Sequence, residues 1–155
     1  MINPVQIFAV GGGGFTHPED NYPHDAVLED QLLALAGPIA EVRIGYIGHA
    51  SNDNPAKIEM FYKRFDRCAK ITTLPLEANL TEARGFLNDL DILYVGGGAT
   101  KKMLAHWQKT GICKVLLEAA HGGVILSGVS AGAICWFSEL LLGSAKDGYS
   151  LHKGL

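Results

Sequence analysis

The stretch that decides the fold is VILSGVSAGA, residues 124–133. It begins with an apolar run, Val124–Leu126, which predicts a buried β-strand. Small residues from Gly128 to Gly132 then allow a sharp turn, and apolar positions at helical spacing predict a helix over Ala131–Leu142. A strand, a tight turn and a helix in this order are the unit from which parallel α/β sheets are built.

Short apolar runs alternate with helical spacings along the rest of the chain. Strands are predicted at Val5–Val10, Val42–Ile47, Ile71–Leu74 and Ile92–Val95. Helices are predicted at Asp25–Ala36, Asn54–Arg67, Thr81–Leu90, Thr100–Gln108 and Ile112–Ala120. Because crossovers between parallel strands place helices on both sides of a sheet, the pattern predicts an α/β fold, a three-layer αβα sandwich with a mostly parallel sheet.

The length of the chain suits one domain. No repeat or linker divides the sequence, and 155 residues with 48% hydrophobic content can build a single core. We therefore predict one domain over residues 1–155. No further helix or strand is predicted after Leu142, so the domain is expected to lack its C-terminal part.

Charge and cysteine content narrow the class of ligand. A net charge of -3 without a run of Lys or Arg argues against nucleic-acid and membrane partners. No apolar run is long enough to span a membrane, and no N-terminal signal pattern is visible, so a cytoplasmic location is expected. The three cysteines are widely spaced, and no histidine pair has metal-ligand spacing. The composition favours a small ligand, with no metal and no cofactor.

Ser130 lies at the centre of a Gly-x-Ser-x-Gly turn between a predicted strand and a predicted helix. By itself the motif could be only a tight turn, but this context is that of a nucleophile elbow, which leaves the serine hydroxyl exposed. The backbone N–H of Ala131 would lie beside that hydroxyl and could stabilise an oxyanion. A second N–H donor is expected from Gly98, which follows another strand at the same sheet edge. The pattern predicts a serine hydrolase site.

Other candidate residues fit catalysis less well. His17, His24 and His49 follow strands at the edge where ligands bind, and each could contact a substrate. The remaining histidines lie in a predicted helix, before a strand or in the terminal segment: His106, His121 and His152. Glycines 11–14 do not complete a dinucleotide-binding fingerprint, because its third glycine is missing.

Two glycine motifs together resemble a known family. The segments Tyr94–Thr100, which holds the triple glycine, and Gly128–Ala133 occur in the order and spacing of peptidase family S51. That family includes peptidase E (aspartyl dipeptidase) and cyanophycinase, and its fold is similar to class I glutamine amidotransferases. The resemblance implies a serine-type peptidase that hydrolyses short peptides, in peptidase E Asp-X dipeptides, through an acyl-enzyme. It implies Ser130 as the nucleophile and the N–H groups of Gly98 and Ala131 as the oxyanion hole.

The sequence departs from the family at two points. Ala99 stands where the family usually has Asn after the triple glycine, and the family's catalytic histidine follows the serine by several tens of residues. The general base and acid are therefore expected beyond Leu155, and the 155-residue chain is expected to be weakly active or inactive.

Two other functions remain to be weighed. A non-catalytic domain that binds a small ligand or a protein is the alternative function. Separately from function, homo-oligomer formation through an exposed apolar edge stays open. An amidotransferase-like glutaminase is disfavoured, because its elbow would carry Cys and Cys135 lies five residues further on.

Overall fold

A computed structural model gives the structure of the protein and describes residues 4–16 and 26–155. The elements in this part of the chain are, in order, β1 (Ile7–Val10), α1 (Ala26–Ala36), β2 (Arg43–Ile47), α2 (Pro55–Arg64), β3 (Lys70–Thr73), α3 (Leu80–Leu87), β4 (Ile92–Val95), α4 (Thr100–Thr110), α5 (Ile112–His121), β5 (Ile125–Val129), α6 (Ala131–Ile134), β6 (Glu139–Ser144) and β7 (Gly148–Lys153). Short 3-10 turns lie at Gly14–Thr16, Ile39–Glu41 and His49–Ser51.

The strands β1 to β5 form one parallel sheet in the order β1-β5-β4-β2-β3. β5 is therefore flanked by β1 and β4, and in the register Val129 pairs with Val10 while Gly128 pairs with Val95. Since the carboxyl ends of these three strands lie side by side, the loops that follow them meet around Ser130.

Helices cover both faces of this sheet and bury a separate core on each. On one face, α1 and α2 contribute Leu32 and Phe61, which pack with Tyr94 of the sheet. On the other face, α3, α4 and α5 pack against the sheet, with Trp107 of α4 fully buried. Each large side chain buried in this way contributes roughly 1.5–3 kcal/mol to folding. The predicted three-layer αβα sandwich with a parallel sheet is confirmed.

Local signals begin and end several helices where the sequence places them. Asn79 caps α3 in a capping box with Glu82, each side chain bonding the other residue's backbone N–H. Gly111, at φ 81°, separates α4 from α5. Asp25, the residue at which the first predicted helix begins, lies outside the described residues.

The predicted helix over Ala131–Leu142 is wrong beyond its first turn. α6 ends at Ile134, and the chain then forms β6 and β7, which pair antiparallel as a hairpin. The expectation that no helix or strand follows Leu142 is also wrong, because β7 lies there.

The helix prediction fails because the alternation of buried and exposed side chains in β6 is not visible in the residue types. Leu140 is 3% exposed and Leu141 is 64% exposed, so successive side chains point to opposite faces, as in a strand. Three consecutive leucines hide this period of two, because the exposed position is as apolar as the buried one. Gly143 and Gly148, both with positive φ, lie at the end of the hairpin, where Gly143 pairs with Tyr149 and Gly148 pairs with Ser144.

β5 also runs further than predicted. The apolar run Val124–Leu126 predicts a strand that ends before the turn, whereas the strand continues to Val129 with every side chain buried. Ser127 is buried in the sheet because its hydroxyl donates a hydrogen bond of 2.8 Å to the carbonyl of Leu93. Ser130 is therefore the first residue beyond the end of a central strand.

Candidate active site

Ser130 has a strained backbone at the junction of β5 and α6. Its φ of 55° and ψ of -114° lie outside the regions that residues other than glycine favour. Such a conformation costs on the order of 1–3 kcal/mol, so the surrounding packing must enforce it. The N–H of Ser130 donates to the carbonyl of Val10 at 3.0 Å, and the side chain is exposed. This is the geometry of a nucleophile elbow.

The strain at Ser130 is maintained by close backbone packing on both sides of it. A side-chain carbon on Gly132 would collide with the carbonyl oxygen of Val95 on the neighbouring strand. A carbon on Gly128 would lie 2.5 Å from that same oxygen. Only glycine at these two positions lets α6 begin directly against the end of β4, and this explains the spacing of Gly-x-Ser-x-Gly.

The triple-glycine turn 96–98 lies next to the serine. A side-chain carbon on Gly97 would be 3.2 Å from the Cβ of Ser130 and 3.7 Å from its Oγ. Gly98 has a φ of 150°, and a carbon there would collide with the carbonyl oxygen of Ala50. Three loops thus converge: the turn after β4, the elbow after β5 and the segment after β2.

The N–H groups of the two predicted oxyanion donors have no backbone acceptor in the part of the chain that the structure describes. The backbone hydrogen bonds found among residues 4–16 and 26–155 include none that is donated by Gly98 or by Ala131. The neighbouring N–H groups are used: that of Ala99 donates to Ala50 at 2.7 Å, and that of Ser130 donates to Val10. Ala131 follows Ser130 directly, and Gly98 follows Gly97, which lies against the side chain of Ser130. Both N–H groups are therefore candidates to bind the oxygen of a reacting carbonyl.

His49 lies at the predicted edge of the sheet but cannot serve as the base. It is 4% exposed, its Nε2 lies 3.1 Å from the carbonyl oxygen of Leu74, and its Nδ1 accepts a hydrogen bond of 2.9 Å from the indole N–H of Trp107. Burial lowers the pKa of His49 and favours the neutral ring. Both ring nitrogens are already used, so neither can take a proton from Ser130.

The other histidines that the structure describes are not placed as a base either. His17 and His24 lie outside the described residues. His106 is half-buried edge-on to His49, with ring centroids 5.6 Å apart. His121 ends α5 and lies 2.7 Å from the carbonyl of Leu117, and His152 lies in β7, 2.8 Å from the hydroxyl of Ser150. In the described part of the chain, no histidine has been found that pairs with Ser130.

Cys135 does not supply a second nucleophile. It follows α6 directly, is fully buried, and its thiol lies 3.5 Å from the carbonyl oxygen of Gly132. Burial raises the pKa of Cys135, so the thiol stays protonated at neutral pH. A glutaminase mechanism that depends on this cysteine therefore has no support from the geometry.

The arginines are paired with carboxylates and do not approach the serine in any contact of the described residues. Each of the four arginines has at least one carboxylate partner: Arg43 has Asp91, Arg64 has Glu29, Arg67 has Asp30 and Arg84 has Glu118. A different cation reaches the site. The ammonium group of Lys57, in α2, donates to the carbonyl oxygen of Gly97 at 3.1 Å. The sequence contains no local signal for this contact, because the two residues are 40 positions apart.

Comparison with known proteins identifies the family of the chain. The family model described as peptidase family S51 matches residues 7–151. The chain belongs to peptidase family S51. The resemblance inferred from the two glycine motifs is thereby confirmed.

Among the described residues, no group of three or more His, Cys, Asp or Glu side chains is arranged to hold a metal ion.

Individual S51 relatives share only part of their length with this chain. The uncharacterized peptidase YgaJ of Bacillus subtilis (strain 168) is 35% identical over 142 residues, which are 90% of this chain and 60% of YgaJ. A crystal structure of a Listeria monocytogenes EGD-e protein named for peptidase E superposes with a TM-score of 0.62 at 23% identity, over 71% of this chain and 56% of that one. A peptidase from an acI-B1 actinobacterium gives a TM-score of 0.66 at 20% identity, over 92% and 59%. These structures support the fold.

None of the helices in the described part of the chain is long and apolar enough to cross a membrane.

Proposed function

We propose that this S51 chain carries the nucleophile and the oxyanion hole of a serine-type peptidase. The observation that supports the proposal most strongly is Ser130 itself, which is exposed and held in a strained conformation at the start of α6. Strained residues with an exposed nucleophilic side chain are concentrated at active sites, where packing maintains them at a cost in stability. A serine that only closed a turn would gain nothing from φ 55°.

In the proposed reaction the Oγ of Ser130 attacks the carbonyl carbon of a peptide bond, and its proton passes to a base. The carbonyl oxygen becomes an oxyanion, to which the N–H groups of Gly98 and Ala131 donate hydrogen bonds. The C–N bond then breaks, the amine leaves with a proton, and an ester to Ser130 remains. Water hydrolyses this acyl-enzyme and regenerates the hydroxyl.

The base is proposed to come from outside the described residues, because His49 is fully hydrogen-bonded and no other described histidine reaches Ser130. Without a base the hydroxyl is a weak nucleophile. Where the base lies beyond Leu155, as the resemblance to the family implies, the 155-residue chain turns over its substrate weakly. Short peptides are the proposed substrates, with Asp-X dipeptides as the first to test. A cytoplasmic location, one domain over residues 1–155 and homo-oligomer formation also remain proposals.

Peptide hydrolysis by matched variants tests this proposal. Asp-X and Ala-X dipeptides are incubated with the purified protein and with its Ser130→Ala and Ser138→Ala variants, and the released amino acids are measured. Ser138 is an exposed serine eight positions further on, so its hydroxyl controls for loss of a surface serine. We expect hydrolysis to disappear only in Ser130→Ala.

Hydrolysis that survives in Ser130→Ala would contradict the proposed role of this serine. The alternative, a domain that binds a small ligand or a protein without catalysis, would gain support if a dipeptide bound to the wild-type protein and remained intact.

A further inference from the structure

Lys57 is held beside the triple-glycine turn by the start of α2. It is the third residue of that helix, which begins at Pro55 and is capped by the side-chain oxygen of Asn54, with hydrogen bonds of 3.0 Å from Ala56 N–H and 3.4 Å from Lys57 N–H. From this position the half-buried side chain reaches the carbonyl oxygen of Gly97 at 3.1 Å.

The positive charge of Lys57 is unfavourable at the N-terminal end of α2. The N-terminus of a helix carries partial positive charge, so a cation in the first turn is unfavourable there. The third helical position after an Asn cap is the one at which Glu or Gln would complete a capping box, as Glu82 does in α3. Helix stability thus gives no reason for a lysine at position 57.

No carboxylate accounts for the lysine either. The ion pairs found among residues 4–16 and 26–155 do not include Lys57, whereas Lys70 pairs with Asp89 and Lys114 with Glu118. Its side chain instead contacts the backbone oxygen of Gly97, the glycine that lies against the Cβ of Ser130. A residue that breaks a local rule without a local gain is expected at a functional site.

We propose that Lys57 is a positioning residue for the oxyanion hole, an inference that rests on the proposed function of Ser130. In a trans peptide the C=O and the following N–H point in opposite directions. The ammonium group fixes the oxygen of Gly97, and it therefore directs the N–H of Gly98 away from α2, toward the reacting carbonyl. Its charge also polarises this peptide group and makes the N–H a stronger donor.

Because Lys57 acts through the peptide group and does not touch the substrate, its loss weakens the site less than the loss of a donor would. Removing one oxyanion-hole donor lowers reaction rates by roughly a hundredfold to a thousandfold. We expect removal of Lys57 to slow the covalent reaction of the Ser130 hydroxyl by about tenfold to thirtyfold. The binding of the reagent before the reaction is expected to stay within about twofold of wild type, because the effect belongs to the transition state.

The test measures inactivation by a fluorophosphonate, which phosphonylates serine nucleophiles and needs no turnover. The Oγ attacks phosphorus, fluoride leaves, and negative charge develops on the phosphoryl oxygen, where the oxyanion hole can stabilise it. The maximal inactivation rate and the half-saturating reagent concentration are determined for wild type, Lys57→Met, Lys57→Arg and Ser130→Ala. Lys63→Met is the matched control, because Lys63 is an exposed lysine of the same helix. Circular dichroism melting of each variant confirms that it folds.

We expect a lower maximal rate for Lys57→Met at unchanged half-saturation, recovery of most of the rate in Lys57→Arg, and a wild-type rate in Lys63→Met. A wild-type rate in Lys57→Met would overturn the inference and leave the proposed function intact. A change in half-saturation alone would overturn it as well, because Lys57 would then act on binding. Labelling that persists at the wild-type rate in Ser130→Ala would instead contradict the proposed function.

Discussion

Two Gly→Ala substitutions should change stability in opposite directions, because the backbone around each glycine differs. Gly98 has a φ of 150°, and a methyl group there would collide with the carbonyl oxygen of Ala50. An alanine forced to adopt this φ destabilises the folded state by roughly 1–3 kcal/mol, and displacing the backbone of Ala50 costs roughly 1–3 kcal/mol more. Gly85 lies on the exposed side of α3, with no atom within 4 Å of the added methyl group. Alanine there stabilises the helix by about 0.5–1 kcal/mol.

The free energy of unfolding, from urea titration followed by circular dichroism, measures both effects. Gly98→Ala should lower it by about 3 kcal/mol, which for a chain of this length corresponds to a melting temperature about 6–12 °C lower. Gly85→Ala should raise it by about 0.5–1 kcal/mol, or about 1–4 °C. If Gly98→Ala unfolds within about 0.5 kcal/mol of wild type, the strained turn described above is wrong.

Three further predictions concern buried polar groups. His49→Leu should lower the free energy of unfolding by about 2–4 kcal/mol, because the Trp107 indole N–H and a backbone carbonyl lose their partner; a change below about 1 kcal/mol would contradict this. Burial holds the pKa of His49 below its ordinary value of 6.5, so on acidification the unfolded state is protonated before the folded state. The contribution of His49 to the free energy of unfolding should therefore be complete above about pH 6.5. Below that pH it should fall by at most about 1.4 kcal/mol per pH unit. Urea midpoints between pH 7.5 and 5.5 should thus fall less steeply in His49→Leu, and equal slopes would refute the assignment. Arg64→Met removes a charged partner of Glu29, a carboxylate that is only 3% exposed, and should lower the free energy of unfolding by about 3 kcal/mol. Arg67→Met removes an exposed partner and should lower it by under about 0.5 kcal/mol. Equal losses in urea titrations would contradict this difference between the two arginines.

The sheet and the elbow could be predicted because their signals are local. Most strands of the main sheet hold a short apolar run, and the turn around Ser130 needs small residues on both sides of it, which are visible in the sequence. The hairpin β6–β7 could not be predicted in this way. Its exposed face carries Leu141, Tyr149 and Leu151, so the usual alternation of apolar and polar residues is missing.

Contacts between distant segments account for the remaining differences. The sequence places His49 at the correct edge of the sheet, but its burial depends on Trp107, which is 58 positions away. The contact between Lys57 and Gly97 likewise joins the first turn of α2 to the turn after β4, and only the strand order of the sheet brings these two segments together. Spacing along the chain predicts which edge a residue lies on, and packing decides what its side chain can do there.

The central claim, that Ser130 is the nucleophile, is tested most directly by locating the covalent adduct. The wild-type protein is treated with a fluorophosphonate, digested, and the modified residue is identified by tandem mass spectrometry. We predict a single adduct on Ser130, formed slowly in the 155-residue chain and absent from Ser130→Ala. An adduct on another residue, or none on Ser130 after prolonged treatment of folded protein, would contradict the account.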